Sequence, residues 1–479
     1  MLPRSAPTVM GFYFSPRGGS AQVARYLCRS LGTSEWSPML FSGSQSGSAD
    51  TDAAQFFAGT ECRSLDYSPA IAEWRDGFDP MKSDRPVHAS YEDKAGVPDR
   101  IFFDLDDAAY DHQVSSWRRH FAAPNIEPPC VIHLHHLTPM HEAVRLLWPD
   151  VPVITHLHGT DLKMLAAAVE PGAVIPGRWT KPWVRRMRRW ASASARVVTV
   201  SSHDADLAQD LFPEIIGLVR VIGNGVDTEV FQPRRRSADQ CRAAWQRWLV
   251  DEPLGWSPNG GPGSLRYSSD DLDAFVDEQG EAVPVVLFAG RFMEFKRLSL
   301  LIEAHHQART QSGARAVLVI VGGFPGEWEG EHPVDTVARL GAKDVFFAGW
   351  RSHSELAEFL ACVDVFAAPS FNEPFGLVYL EAMAAGVPPI ATNVGGPPTF
   401  INTIEGAPNG WLIEPDDLAA LTSVLIEAAS ERGDRAIRGA NARSFVNDHS
   451  SWSRIATDFT DLYAEVVAEF ADTPSKGVA

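Results

Sequence analysis

Two carboxylates eight positions apart offer the most specific chemistry in this chain. Glu373 and Glu381 lie in the run Pro369-Ser370-Phe371-Asn372-Glu373-Pro374-Phe375-Gly376-Leu377-Val378-Tyr379-Leu380-Glu381-Ala382-Met383. The Glu-Pro-Phe-Gly turn follows a buried-strand pattern and opens a helix near Gly376, leaving successive backbone N–H groups unpaired where the helix dipole is positive. Such a turn cradles a phosphate or a sugar hydroxyl. Glu381, about one and a half turns into that helix, can accept two hydrogen bonds from a vicinal diol such as a ribose. Taken alone, the same pattern also describes a first-turn Glu on the dipole and a second Glu on a solvated face.

The surrounding motifs decide between these readings. Gly290-Arg291-Phe292-Met293-Glu294-Phe295-Lys296 ends a strand pattern, at the edge where open parallel sheets bind ligands. Arg291 and Lys296 together suit a diphosphate, Arg through bidentate contacts to oxygen. Gly395-Gly396-Pro397 also follows a strand and allows close backbone approach. Near the N-terminus, Gly18-Gly19 precedes a helical pattern. Histidines gather at His133, His135, His136, His156 and His158, the last two in His156-Leu157-His158-Gly159-Thr160-Asp161.

These residues need a scaffold that delivers them to one edge. Short apolar runs alternate with amphipathic stretches in two series, the pattern of parallel sheets covered by helices. The first passes through Val9–Tyr13, Val131–His133, Val153–Thr155, Val197–Val200 and Val219–Ile222. The second restarts at Val285–Gly290 and continues through Val317–Val321, Val345–Phe347, Val365–Ala368, Pro389–Thr392 and Trp411–Ile413. The expectation is an α/β protein of two Rossmann-like halves: 1–233 and 283–440, joined by a partly mobile linker over 234–282 and followed over 441–479 by helices that could pack back on the first half and a tail. Residues 34–94 lack clear periodicity and read as a loop-rich insertion or irregular surface.

Composition narrows the function. The chain has 479 residues with 42 Lys and Arg against 61 Asp and Glu, a net charge of −19 that disfavours nucleic acid as a partner. Five scattered cysteines without a C-x-x-C pair argue against a disulfide framework or thiolate zinc, and fit a reducing cytoplasm. No apolar run reaches the length of a spanning helix. The basic, Trp-bearing segment from Arg178 to Trp190 invites comparison with a lipid-binding helix, but an amphipathic helix with solvated arginines is the plainer reading. His133-x-His135-His136 raises zinc; strand alternation and the lack of another clustered ligand favour cleft polarity, so no metal is expected. Nothing in the sequence sets an oligomeric state.

With its motifs assembled, the second half resembles the retaining GT-B glycosyltransferases of family 4. The resemblance rests on Ala289-Gly290-Arg291 with Lys296, Gly322-Gly323, Phe347-Ala348-Gly349, Glu373 to Glu381, Gly395-Gly396 and Gly410-Trp411-Leu412-Ile413. In the first half it rests on Gly18-Gly19, Val131–His135, Thr155–Gly159 and Asn224-Gly225-Val226-Asp227. It implies two domains facing each other across a cleft and a nucleoside-diphosphate sugar of UDP, GDP or ADP type as co-substrate, without a further cofactor. Arg291 and Lys296 would hold the diphosphate and Glu381 the ribose. Glu373, with Pro374, Phe375, Gly376 and Leu377, would hold the donor sugar, and Gly18-Gly19 would approach phosphate and acceptor. His158, Arg291, Lys296 and Glu373 would be catalytic, while His133, His135, His156 and Asp161 would line the pocket of a small polar acceptor: an aminocyclitol, an inositol phosphate or a thiol such as ergothioneine. The family's acidic residue three positions beyond the glycine pair is Thr399 here. A nucleotide-sugar epimerase and a non-catalytic nucleotide-sugar-binding protein are the alternatives.

Overall fold

The computed structural model describes residues 6–48, 51–91, 97–124, 126–170, 177–234, 236–313, 315–404 and 406–472. Arg235 and the expected tail from 473 onward lie outside them. The chain forms two compact units, one from residues up to Gly225 together with those from Trp452 onward, the other from Val226 to Ser451.

The first unit is built on β1 (Ala6–Phe12), β2 (Trp36–Ser44), β3 (Cys62–Asp66), β4 (Val131–His135), β5 (Val153–Leu157), β6 (Arg196–Thr199) and β7 (Val219–Val221). They pair in parallel in the order β3-β2-β1-β4-β5-β6-β7. The second unit contains β8 (Val285–Gly290), β9 (Val317–Gly322), β10 (Val345–Gly349), β11 (Val365–Ala367), β12 (Pro389–Thr392) and β13 (Trp411–Ile413), parallel in the order β10-β9-β8-β11-β12-β13. Helices cover both faces, which explains near-continuous apolar strands such as Val317-Leu318-Val319-Ile320-Val321, buried throughout. Strand order reverses between β1 and β4 and again between β8 and β11. At such points adjacent loops diverge above the carboxyl edge and leave room for a ligand.

Three expectations are corrected. Residues 34–94 are not merely irregular, because they supply β2 and β3 at the edge of the first sheet. Pro38 hides β2 from a sequence reading; it is tolerated because β3 pairs with β2 only from Leu40 onward, so no ladder bond is lost on that side. The stretch 234–282 is no mobile linker. Its helix Ala238–Trp245 starts with a capping box between Ser237 and Gln240, and Trp245, Trp248, Trp256, Leu272 and Phe275 are all buried. Trp248 stacks on Phe359 at 3.8 Å, and Arg351 donates to the carbonyls of Trp248 and Glu252 at 2.8 and 2.7 Å. The boundaries shift accordingly: 226–451 forms one unit including the helix Arg432–His449, and only the last helix, Trp452–Asp472, returns to the first unit. There Trp452 stacks on Tyr26, Tyr463 packs edge-on against Trp36, and Glu465 and Glu469 pair with Arg196.

Candidate functional site

In the second unit, the loops after β8 and β11 emerge side by side at the strand-order reversal. A backbone bond from Phe371 N–H to the Phe295 carbonyl, 2.6 Å, ties them together. Lys296 ends a single 3-10 turn, Glu294–Lys296, and its ammonium pairs with the Glu373 carboxylate. Both side chains are largely buried, at 14% and 11% exposure, so the pair sits in a medium where charge is felt strongly. Arg291, half-buried, directly follows the last residue of β8.

Glu373 is held from the other side by the glycine pair after β12. Gly396 N–H donates to the Glu373 carbonyl at 2.7 Å. Gly395 has φ +79°, and a Cβ there would fall 2.3 Å from that carbonyl oxygen, so only glycine allows this approach. Thr399, at the position where the family has an acid, spends its hydroxyl on the Gly396 carbonyl at 2.6 Å.

The helix Leu377–Ala384 starts at Gly376 (φ +88°) with neither a side-chain cap nor an acidic residue in its first turn. Its amino end therefore keeps its positive character for a ligand. Phe375 is buried against Phe400, and Tyr379 anchors the helix by donating to the Ala368 carbonyl at 2.5 Å. Burial holds the Tyr379 phenol well above its ordinary pKa, so it stays a donor. Glu381 is 8% exposed and takes a 2.7 Å hydrogen bond on Oε1 from His353 Nε2. His353, at the start of the helix after β10, escaped the sequence reading because it lies 28 positions from its partner in a stretch without a motif. The four residues on which the sequence reading depends thus occupy the carboxyl edge of one sheet, and Lys296 and Glu373 touch directly.

In the first unit, Gly18 and Gly19 open the helix Gly18–Leu31 after β1. Both are exposed, and Gly18 (φ +76°) has open space where a side chain would stand. His158, just beyond β5, is half-buried; its Nε2 lies 2.8 Å from His135 Nδ1, and its ring stacks on His156 at 4.3 Å. Burial, reinforced by the neighbouring imidazoles, holds His135, His156 and His158 well below the usual histidine range, while burial alone lowers His133 to about 3. All four are neutral at pH 7.

The expected acceptor residues are placed differently. His133 is fully buried, with Nδ1 2.5 Å from the Tyr463 hydroxyl and its ring stacked on Phe459. His156 is 1% exposed and packs on the same phenylalanine. Asp161 is fully buried and bonded to His136 Nδ1 at 2.7 Å. These three are internal to the unit rather than displayed to an acceptor: the last helix covers the face toward which β4 and β5 turn His133 and His156, and Asp161, in the first turn of the helix Thr160–Val169, is held against His136. His135 lies at the inner side of His158. In the basic segment, Trp183 and Trp190 are buried, Trp179 is half-buried and Arg186 lies over the Tyr110 ring at 3.8 Å, so two of its three indoles are turned into the unit rather than toward a lipid surface. Among the described residues, no helix is long and apolar enough to cross a membrane.

Comparison with known proteins agrees with this geometry. Residues 271–445 match the family Glycosyl transferases group 1, and residues 17–230 match Glycosyltransferase Family 4. The chain belongs to the GT-B glycosyltransferases of family 4. It is 30% identical over 296 residues to a D-inositol 3-phosphate glycosyltransferase of Stackebrandtia nassauensis, covering 60% of this chain and 57% of the relative. Against the protein of the same name from Saccharomonospora viridis it is 30% identical over 315 residues, 64% of each chain. The match thus spans about three fifths of the length of these relatives. Among solved structures, sucrose-phosphate synthase from Thermosynechococcus elongatus superposes with a TM-score of 0.65 at 18% identity, over 97% of this chain and all of that one. Anabaena HepE, solved with UDP and glucose, gives 0.61 at 17%, over 96% and 99%.

Proposed function

We propose that this protein transfers a glycosyl group, with retention of anomeric configuration, from a UDP-type sugar nucleotide to a small polar acceptor in the cytoplasm. The observation that carries the reading is the Lys296–Glu373 contact, which joins the loops after β8 and β11 at the strand-order reversal. Arg291 and Lys296 bind the diphosphate, Glu381 the ribose diol, and Glu373 with the backbone from Pro374 to Leu377 the donor sugar hydroxyls. His158, held neutral, contacts the donor sugar as a hydrogen-bonding group rather than as an acid.

The acceptor hydroxyl attacks the anomeric carbon on the face from which the diphosphate leaves. The carbon–oxygen bond to phosphate breaks as the new glycosidic bond forms, and the acceptor proton passes to the departing phosphate oxygen. The protein's part is electrostatic: Arg291, Lys296 and the uncapped helix end stabilise charge growing on the leaving group, a contribution of roughly 3–4 kcal/mol per well-placed donor. UDP is favoured by the likeness to HepE, and an inositol phosphate acceptor by the likeness to relatives named D-inositol 3-phosphate glycosyltransferase. Calorimetric titration with UDP, GDP and ADP tests the donor side, and binding of none of the three refutes the nucleotide cradle. Proton NMR of the anomeric signal during transfer to an inositol phosphate tests the stereochemistry.

A further inference from the structure

The buried imidazoles of the first unit are not closed by their own hydrogen bonds. β4 and β5 pair so that His135 stands opposite His156. His133, two positions before His135, projects from the same face by the alternation of a strand. All three are at most 1% exposed. The Nε2 atom of His135 is buried without a hydrogen-bond partner, a costly state for an imidazole nitrogen, whereas on His156 the nitrogen that meets His133 is Nδ1 and its own unpartnered Nε2 lies apart from that contact. We infer that His133, His135 and His156 form a binding site for a single transition-metal ion of the zinc class.

Four observations converge on this site. One ring nitrogen from each residue lies within 4.8 Å of those of the other two. The ring centroids are 4.8, 5.2 and 5.3 Å apart, close to the roughly 5 Å of three imidazoles on a tetrahedral zinc, although their interplanar angles of 15°, 29° and 30° mean that the rings must turn about χ2 for their nitrogens to meet one ion. His133 Nε2 stands 3.2 Å from His156 Nδ1. That spacing serves a hydrogen bond, and it also matches the separation of about 3.3 Å between two nitrogens on one tetrahedral ion. Finally, the outer nitrogens are already oriented: His133 Nδ1 meets the Tyr463 hydroxyl at 2.5 Å and His135 Nδ1 meets His158 Nε2 at 2.8 Å. Partners of this kind fix the tautomer of metal-bound histidines and turn Nε2 inward.

A dication in this interior needs compensating charge. Asp161 is fully buried, bonded through Oδ1 to His136, with Oδ2 unpartnered; the His136 ring in turn lies 4.7 Å from that of His158. The rival account is a core of neutral, stacked imidazoles. Because two strands and the last helix contribute, a bound ion would also fasten that helix, through Tyr463, to the sheet. The site lies wholly in the first unit and does not depend on the sugar-nucleotide reading of the second.

The test uses the full chain, free of any affinity tag, stripped with a chelator and dialysed against Zn(II) or Co(II). About one equivalent should remain, with visible d–d bands for cobalt and a raised Tm on loading. X-ray absorption at the zinc edge should read three imidazole nitrogens at about 2.0 Å. His135→Gln and His156→Gln should each lose the stoichiometric ion, and Tyr463→Phe, which keeps all three ligands, should weaken binding about 10-fold. Near-ultraviolet circular dichroism reports whether each variant is folded. Retention of no metal by the wild-type chain overturns the site, as does a zinc spectrum without imidazole scattering or a full equivalent kept by a folded His135→Gln.

Discussion

Removing Lys296 separates a structural ion pair from a catalytic one. In Lys296→Met the Glu373 carboxylate loses its cation, and stranding one member of a buried pair costs about 3–5 kcal/mol. Here 14% and 11% of the two side chains stay exposed, so water recovers part of that and about 2–3 kcal/mol is expected. At about 2–4 °C per kcal/mol for a domain of this size, Tm of the second unit should fall by about 4–12 °C. Glu373→Gln strands the Lys296 ammonium instead and should cost somewhat less, because the amide oxygen still accepts a hydrogen bond from it. The double variant, Lys296→Met with Glu373→Gln, should regain most of the stability, since no charge is left stranded. Turnover should behave oppositely: each single variant loses it, and the double variant stays as poor as the worse single, because the diphosphate and the donor sugar still lack their contacts. Scanning calorimetry supplies the first cycle, and donor hydrolysis or transfer kinetics the second. A double variant that regains turnover together with stability would show the pair to be structural, and the assignment of Lys296 and Glu373 to substrate would fail.

Other substitutions test the remaining parts. Glu381→Ala should weaken UDP binding about 10- to 100-fold by calorimetry, the scale of one or two hydrogen bonds to a charged group; His353→Phe, which only frees that carboxylate from its orienting bond, should weaken it less, and an unchanged Kd in both removes the ribose assignment. Gly395→Ala should lower stability by about 1–3 kcal/mol and abolish donor binding, whereas Gly326→Ala, at a similar φ of +86° but with open space around it, should leave binding intact. His305 is lowered to about 4 by burial, while its Nε2 donates to the Ala316 carbonyl. The unfolded chain therefore takes up its proton first on acidification. The stability His305 contributes is complete above about pH 6.5 and is lost toward pH 4, amounting to roughly 3 kcal/mol. In His305→Gln the fall in Tm over that window should be shallower than in the wild type, and parallel curves would refute the shift.

The amino-acid sequence alone determined where most strands lie and which charged residues gather at the carboxyl edge of the second sheet. Parallel strands buried on both faces leave apolar runs that need no partner to be recognised, and Arg291 with Lys296, and Glu373 with Glu381, are each set by a single loop or loop-helix junction. Tertiary structure decided what depends on neighbours distant in the chain. Pro38 concealed β2 because its tolerance rests on where β3 begins to pair. The segment 234–282 read as a linker because its tryptophans are spaced for rings on other elements, such as Phe359, rather than for a regular period. Alternation along β4 shows that His133 and His135 share a face, but only register places His156 beside them, and only the returning last helix covers them with Phe459 and Tyr463. A chain records the period of each strand; the offset between strands follows from packing the whole sheet, and that offset turned expected acceptor contacts into a buried cluster.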